Sequence, residues 1–108
     1  MVVNWTDDSK RALRAISSYY HHVAGRETAN KLVADIRRSV QRLERSPRMA
    51  PIDLLLEGLP ERYRSLVVKK NFKVIYYIDE QEDCVYIIYV WDFRQDPKKL
   101  IGILNDWE

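Results

Sequence analysis

The stretch YRSLVVKKNFKVIYYIDEQEDCVYIIYVWDFRQDP, residues 63–97, decides the fold. β-Branched and aromatic residues dominate it, and two polar interruptions, Lys70-Asn71 and Glu80 to Asp83, divide it into three segments. That pattern predicts three consecutive antiparallel strands joined by tight turns. A two-residue loop at Lys70-Asn71 would set Lys69 opposite Phe72 and Arg64 opposite Tyr77. A four-residue loop at Glu80 to Asp83 would set Asp79 opposite Cys84 and Tyr77 opposite Tyr86.

Side chains alternate between the faces of a sheet. In this register one face carries Tyr63, Val67, Val74, Tyr76, Ile78, Val85, Ile87, Tyr89 and Trp91, an apolar set expected to form core. The other face carries Arg64, Leu66, Val68, Lys73, Ile75, Tyr77, Tyr86, Ile88, Val90 and Asp92. A sheet face that is apolar at its centre and polar at its ends needs a cover or a partner. Asp96-Pro97 reads as an N-cap followed by proline at the first helical position, and Leu100, Ile103, Leu104 and Trp107 then recur at helical spacing. This short helix either lies across the sheet or sits aside and leaves a groove.

Upstream, Val2 to Trp5 reads as a short strand. Thr6 is an N-cap, and Asp7 and Asp8 suit the positive end of the helix that follows. Leu13, Ile16, Tyr20 and Val23 give that helix its apolar stripe, and Gly25 ends it. A second stripe runs through Ala29, Leu32, Val33, Ile36, Val40 and Leu43 until Pro47. The two form a helical hairpin. Residues 47–61 hold three of the four prolines and read as a loop, with one helical turn near Asp53 to Glu57.

At 108 residues the expectation is a single domain, residues 1–108, with one core. Hydrophobic residues at 46% and charged residues at 31% are globular values, and a net charge of +2 does not by itself call for nucleic acid. The lone Cys84 excludes an internal disulfide and suits a reducing cytoplasm. MVVNWTDDSKR lacks the cationic start of a signal peptide, and Val85 to Trp91 is too short to cross a bilayer. A cytoplasmic protein with no membrane association is expected.

No metal or cofactor is expected either. His21 and His22 are adjacent on a helix, so their rings diverge by about 100° and do not share a metal ion easily. There is no Gly-rich phosphate loop, and no Ser or Cys has a histidine partner in its neighbourhood. The polar edge of the second sheet face remains. Arg64, Tyr77 and Tyr86 would form one cross-strand row, suited equally to stacking a nucleic-acid base or to a structural cation–aromatic contact. Lys69, Lys70, Lys73 and Arg94 would gather at the other end as a basic rim or as a solvated hairpin tip. Five arginines between Arg37 and Arg48 make the polar side of the second helix either a solvated face or a dock for an acidic segment or a phosphate backbone.

The order strand, helix, helix, three-strand meander, short helix is similar to the RelE/ParE toxin superfamily of type II toxin–antitoxin and plasmid-stabilisation systems. YRSLVVKKNFKVIYYID resembles its Y-R-x-L … Y/F-R/K-V-x-Y-x-I-D core, and VWDFRQDPKKL resembles its closing V-x-H-x-R-R-D-P-x-x-L. The resemblance implies an α+β fold, β-α-α-β-β-β-α, with an N-terminal helical hairpin packed on a mainly antiparallel four-stranded sheet. It also implies a growth-inhibiting toxin without a cofactor, held in check by a cognate antitoxin in a heterocomplex, or a dimer.

RelE-like members cleave mRNA on the ribosome with dispersed basic residues and no metal. Carried over by position, Arg64, Lys73 and Arg94 would be the catalytic set. Leu66 stands where RelE proper has a lysine, and Asp92 where many relatives have a histidine, which an acceptor-only carboxylate does not replace as a proton donor. ParE-like members share the fold, lack that set and poison DNA gyrase through a binding surface. A degenerate toxin that keeps only antitoxin or protein binding is the remaining alternative. The expected docking surface is Leu66, Val68, Lys69, Lys70, Ile75, Tyr77, Tyr86 and Ile88.

Overall fold

The computed structural model describes residues 1–105. Its elements run β1 (Val2–Trp5), α1 (Asp7–Ala24), α2 (Arg26–Gln41), β2 (Arg64–Val68), β3 (Phe72–Asp79), β4 (Cys84–Asp92) and α3 (Pro97–Asn105). One-turn 3-10 helices at Arg42–Glu44 and Leu54–Leu56 interrupt the connection between α2 and β2. The sheet order is β1-β4-β3-β2, with β1 parallel to β4 and the other pairings antiparallel. This is the expected α+β architecture.

Local chemistry starts α1 where the sequence places it. The Thr6 hydroxyl accepts from the Ser9 N–H at 3.3 Å and donates to the Ile87 carbonyl at 2.7 Å. One side chain therefore caps the helix and ties it to the middle of β4. Gly25, at φ 93°, closes α1 and opens α2 in a single residue. That left-handed angle is open to glycine at no steric cost. Ala12, Leu13, Ile36, Val40 and Leu43 then pack against Leu66, Val68, Val74, Tyr76, Val85, Ile87 and Val90 to form the main core. The hairpin outruns the sheet: residues 21–28 are all exposed, so Val23 does not join the stripe predicted for it.

A second core lies on the other sheet face. Leu100 and Leu104 of α3 bury Ile75, Ile88 and Trp91, together with Leu56 and Tyr63. The short C-terminal helix is therefore a cover, not a displaced flap. Trp107, expected on its stripe, lies outside the described residues.

Two single-residue differences in register change which side chains face which core. The β2–β3 loop has three residues, Lys69 to Asn71, so Val68 faces Phe72 and Arg64 faces Tyr76, not Tyr77. Lys69 and Lys70 adopt φ values of 60° and 92°, which a two-residue reading of the turn did not anticipate. A slip of one residue turns every side chain of a strand over. Leu66 and Val68 thus enter the main core, Tyr63 joins the second, and Val67 is left 58% exposed.

The second difference is a bulge in β4. Tyr76 faces Ile87 but Ile75 faces Tyr89, so Ile88 has no partner on β3. Such an extra residue shifts the alternation beyond it. Val90 therefore enters the main core and Trp91 the second, the reverse of the unbulged expectation.

Candidate functional site

The end of β4 helps to build a concave surface. A cleft of about 540 Å³ opens between α1, the end of β4 and α3. Ile16, Tyr19 and Tyr20 form its α1 wall, Phe72, Tyr89 and Trp91 come from the sheet, and Lys99 and Ile103 come from α3. Tyr20 meets Phe72 edge-on at 6.0 Å and Tyr19 at 5.2 Å, spacings typical of favourable aromatic pairs. An aromatic cleft with a few fixed polar groups at its rim is suited to binding.

Arg94 supplies that polar rim. Its Nε donates to Asp92 Oδ1 at 2.9 Å and its Nη2 to Asp92 Oδ2 at 2.6 Å, a bidentate fork. The same Nη2 donates to the Tyr20 hydroxyl at 3.3 Å, and the Arg94 backbone N–H also donates to Asp92. The hydrogen bond from Arg94 holds the Asp92 carboxyl below its usual range. In turn, Asp92 and then Tyr20 push the Arg94 pKa further up. Asp92, which breaks the resemblance to a histidine, is here the orienting partner of the arginine two residues on.

The three bases carried over from the resemblance do not converge. Arg64 lies on the hairpin side of the sheet, where its Nη1 donates to the Ala50 carbonyl at 2.7 Å and the Arg48 carbonyl at 3.4 Å. Lys73 lies on the opposite side and is 7% exposed. Its ammonium donates to Asp53 Oδ2 at 2.7 Å, and the Ser65 hydroxyl donates to the same oxygen at 2.6 Å. Burial raises the pKa of Asp53, but the hydrogen bonds from Lys73 and Ser65 outweigh it and leave the carboxyl below its usual range. Arg64 and Lys73 secure the 47–61 connection from the two sides of β2 and β3.

The expected docking surface is corrected in part. Leu66, Val68, Ile75 and Ile88 are all buried, at 8% exposure or less, because the register slip, the bulge and α3 cover them. Lys69 pairs with Asp35 of α2 at 2.7 Å, and Lys70 is exposed at the hairpin tip. Tyr77 and Tyr86 do sit side by side, ring centroids 5.5 Å apart, but Arg64 is not in their row. Tyr63 takes its place, edge-on to Tyr77 at 6.1 Å. Burial, and then the Glu61 charge, push the Tyr77 hydroxyl up to about 12, so it stays protonated at neutral pH.

The sequence reading missed the Asp53–Lys73 pair and the role of Tyr20. Asp53 was legible as the start of a helical turn, and its Oδ1 caps that turn by accepting from the Leu55 N–H at 3.0 Å. Nothing local marked its other oxygen for Lys73. Among the described residues no group of His, Cys, Asp and Glu could hold a metal ion, and no helix is long and apolar enough to cross a membrane.

A hairpin of helices on a mixed four-stranded sheet, closed by a short helix, is the fold of the RelE/ParE superfamily of toxins. The family model for the ParE toxin of the type II toxin–antitoxin system parDE matches residues 3–97, and the chain belongs to that family. Among solved structures it is similar to a chain of the chromosomal ParDE toxin–antitoxin system from P. aeruginosa, with a TM-score of 0.69 and 24% identity over 83% of this chain and 92% of that one. It is also similar to a chain of the RelBE2 toxin–antitoxin complex from Mycobacterium tuberculosis, with a TM-score of 0.58 and 20% identity over 82% and 93% of the two. At these identities the structural likeness speaks for the fold. No curated protein sequence matches significantly. The chain is thus a member of the ParE toxin family of type II toxin–antitoxin systems.

Proposed function

We propose that this toxin acts by binding rather than by cutting RNA, and that its target is DNA gyrase, as in ParE-like members of the superfamily. One observation carries the reading. Arg64, Lys73 and Arg94 are each engaged within the chain, and the first two face opposite sides of the sheet. General acid–base work on a phosphodiester needs its groups gathered around one reacting atom. Lys73, buried in an ion pair, and Arg64, bonded to backbone carbonyls, offer no such gathering.

The aromatic cleft beside Arg94 suits protein binding instead. Tyr, Trp and Arg are the residue types that carry most of the energy at protein interfaces. The cleft presents Tyr19, Tyr20 and Arg94 together. The test is purified chain added to gyrase, ATP and relaxed plasmid. Inhibited supercoiling with accumulation of cleaved DNA supports the reading. Unimpaired supercoiling at a large molar excess of chain refutes gyrase as the target.

A further inference from the structure

On the other flank of α1 lies a second, smaller cleft of about 250 Å³, between α1, α2 and β1. Trp5, Leu13 and Val33 line it, and three cations, Lys10, Arg14 and Arg37, stand around it. Lys10 and Arg14 are one helical turn apart, an arrangement of like charges that weakens a helix. Their neighbours are treated differently. Arg11 pairs with Asp8 and Arg38 pairs with Asp35, whereas no described carboxylate pairs with Lys10, Arg14 or Arg37.

Like charges left unneutralised around a low-dielectric cleft focus a positive potential into it. An anionic partner is the complement. The apolar lining decides which kind. A phosphate backbone needs cations but no apolar socket, while this cleft counts Trp5, Leu13 and Val33 among its lining residues. Its volume is below the roughly 300 Å³ at which pockets for whole small molecules begin. It suits one apolar side chain, with carboxylates on either side of it.

We infer that this cleft seats the cognate antitoxin, through a segment that places one apolar residue between Trp5, Leu13 and Val33 and acidic residues against Lys10, Arg14 and Arg37. The inference rests on the toxin reading of the chain, and it separates two surfaces on α1. The Ile16–Tyr19–Tyr20 flank serves the target, and the Lys10–Leu13–Arg14 flank serves the antitoxin.

The test uses the full chain and its purified cognate antitoxin, with affinity measured by calorimetry at two salt concentrations. Arg14→Glu/Arg37→Glu is expected to weaken binding roughly 100-fold and to flatten its salt dependence. Arg26→Glu/Lys31→Glu, at the exposed tip of the hairpin, is expected to stay within about twofold of the parent. Arg14→Gln/Arg37→Gln removes charge without reversing it and covers the case in which the Glu pair folds poorly; it should lose affinity to a smaller extent. In cells the Glu pair should still stop growth but no longer be rescued by the antitoxin.

A folded Arg14→Glu/Arg37→Glu variant that binds antitoxin as tightly as the parent overturns the inference. So does a variant that loses toxicity yet remains antitoxin-bound, which assigns the cleft to the target. Loss of affinity for a short single-stranded RNA with antitoxin binding unchanged assigns it to nucleic acid. Failure of the parent chain to stop growth would count against the toxin reading alone, since the binding measurement does not depend on toxicity.

Discussion

Lys73, on the inner strand β3, reaches Asp53 Oδ2 at 2.7 Å, and the two side chains are each only 9% exposed. The pair fastens the prolyl connection to β3. Removing one partner of a buried pair leaves an uncompensated charge, which costs about 3 kcal/mol or more. Lys73→Ala is therefore expected to lower stability by about that amount, measured by urea unfolding. The double variant Lys73→Met/Asp53→Leu, which removes both charges, should recover most of the loss. A single variant as stable as the parent would show that the pair holds nothing.

The same pair sets an acid sensitivity. The Asp53 pKa is lower in the folded chain than in an unfolded one, so its contribution is fully present above the unfolded carboxylate value and is lost as pH falls through the folded one. Asp92 is shifted in the same direction by Arg94. Stability should decline as the solution is acidified below the ordinary carboxylate range of about 4. Asp53→Asn is expected to flatten that decline. An unchanged acid limb in Asp53→Asn would remove Asp53 from the cause.

The register of β2 makes a sharp contrast between neighbours. Leu66 is 8% exposed and Val67 58%. Leu66→Ala should cost about 2–4 kcal/mol, and Val67→Ala should stay within about 0.5 kcal/mol. The two-residue loop read from the sequence exchanges these roles. Thermal unfolding of the two variants separates the registers directly.

Lys70 holds a φ of 92° at the hairpin tip, where a side chain with a Cβ is strained. Lys70→Gly is expected to raise stability by roughly 1 kcal/mol, relief of strain exceeding the added freedom of the unfolded chain. A lower melting temperature in the glycine variant would mean that the angle is not costly there.

These contrasts show where the sequence was legible. Periodicity placed the helices, strands and caps because each is a local pattern: Thr6 before a stripe, Gly25 between two, turns of polar residues between apolar runs. It did not place the bulge at Ile88, since an extra residue in one strand leaves no local mark when both neighbours are apolar. Nor did it find the third loop residue, because Lys69 reads as easily in a strand as in a turn. With both shifts missed, Leu66 and Val68 were expected on the open face, and Arg64 and Lys73 on one face. The candidate site suffered most because it depends on which way side chains point. Asp92 and Arg94 were legible as a pair of positions but not as a fork, since Tyr20, their third member, lies 74 residues from Arg94.

The most direct measurement compares two kinds of damage in the same cells after the chain is induced without its antitoxin. Genomic DNA is assayed for gyrase-linked breaks, and mRNA is mapped for ribosome-dependent cleavage. The expected result is growth arrest with DNA breaks, lost in cells carrying a toxin-resistant gyrase, and intact mRNA. Cleavage of mRNA on ribosomes without DNA breaks, abolished by Arg94→Ala in a folded chain, would contradict it.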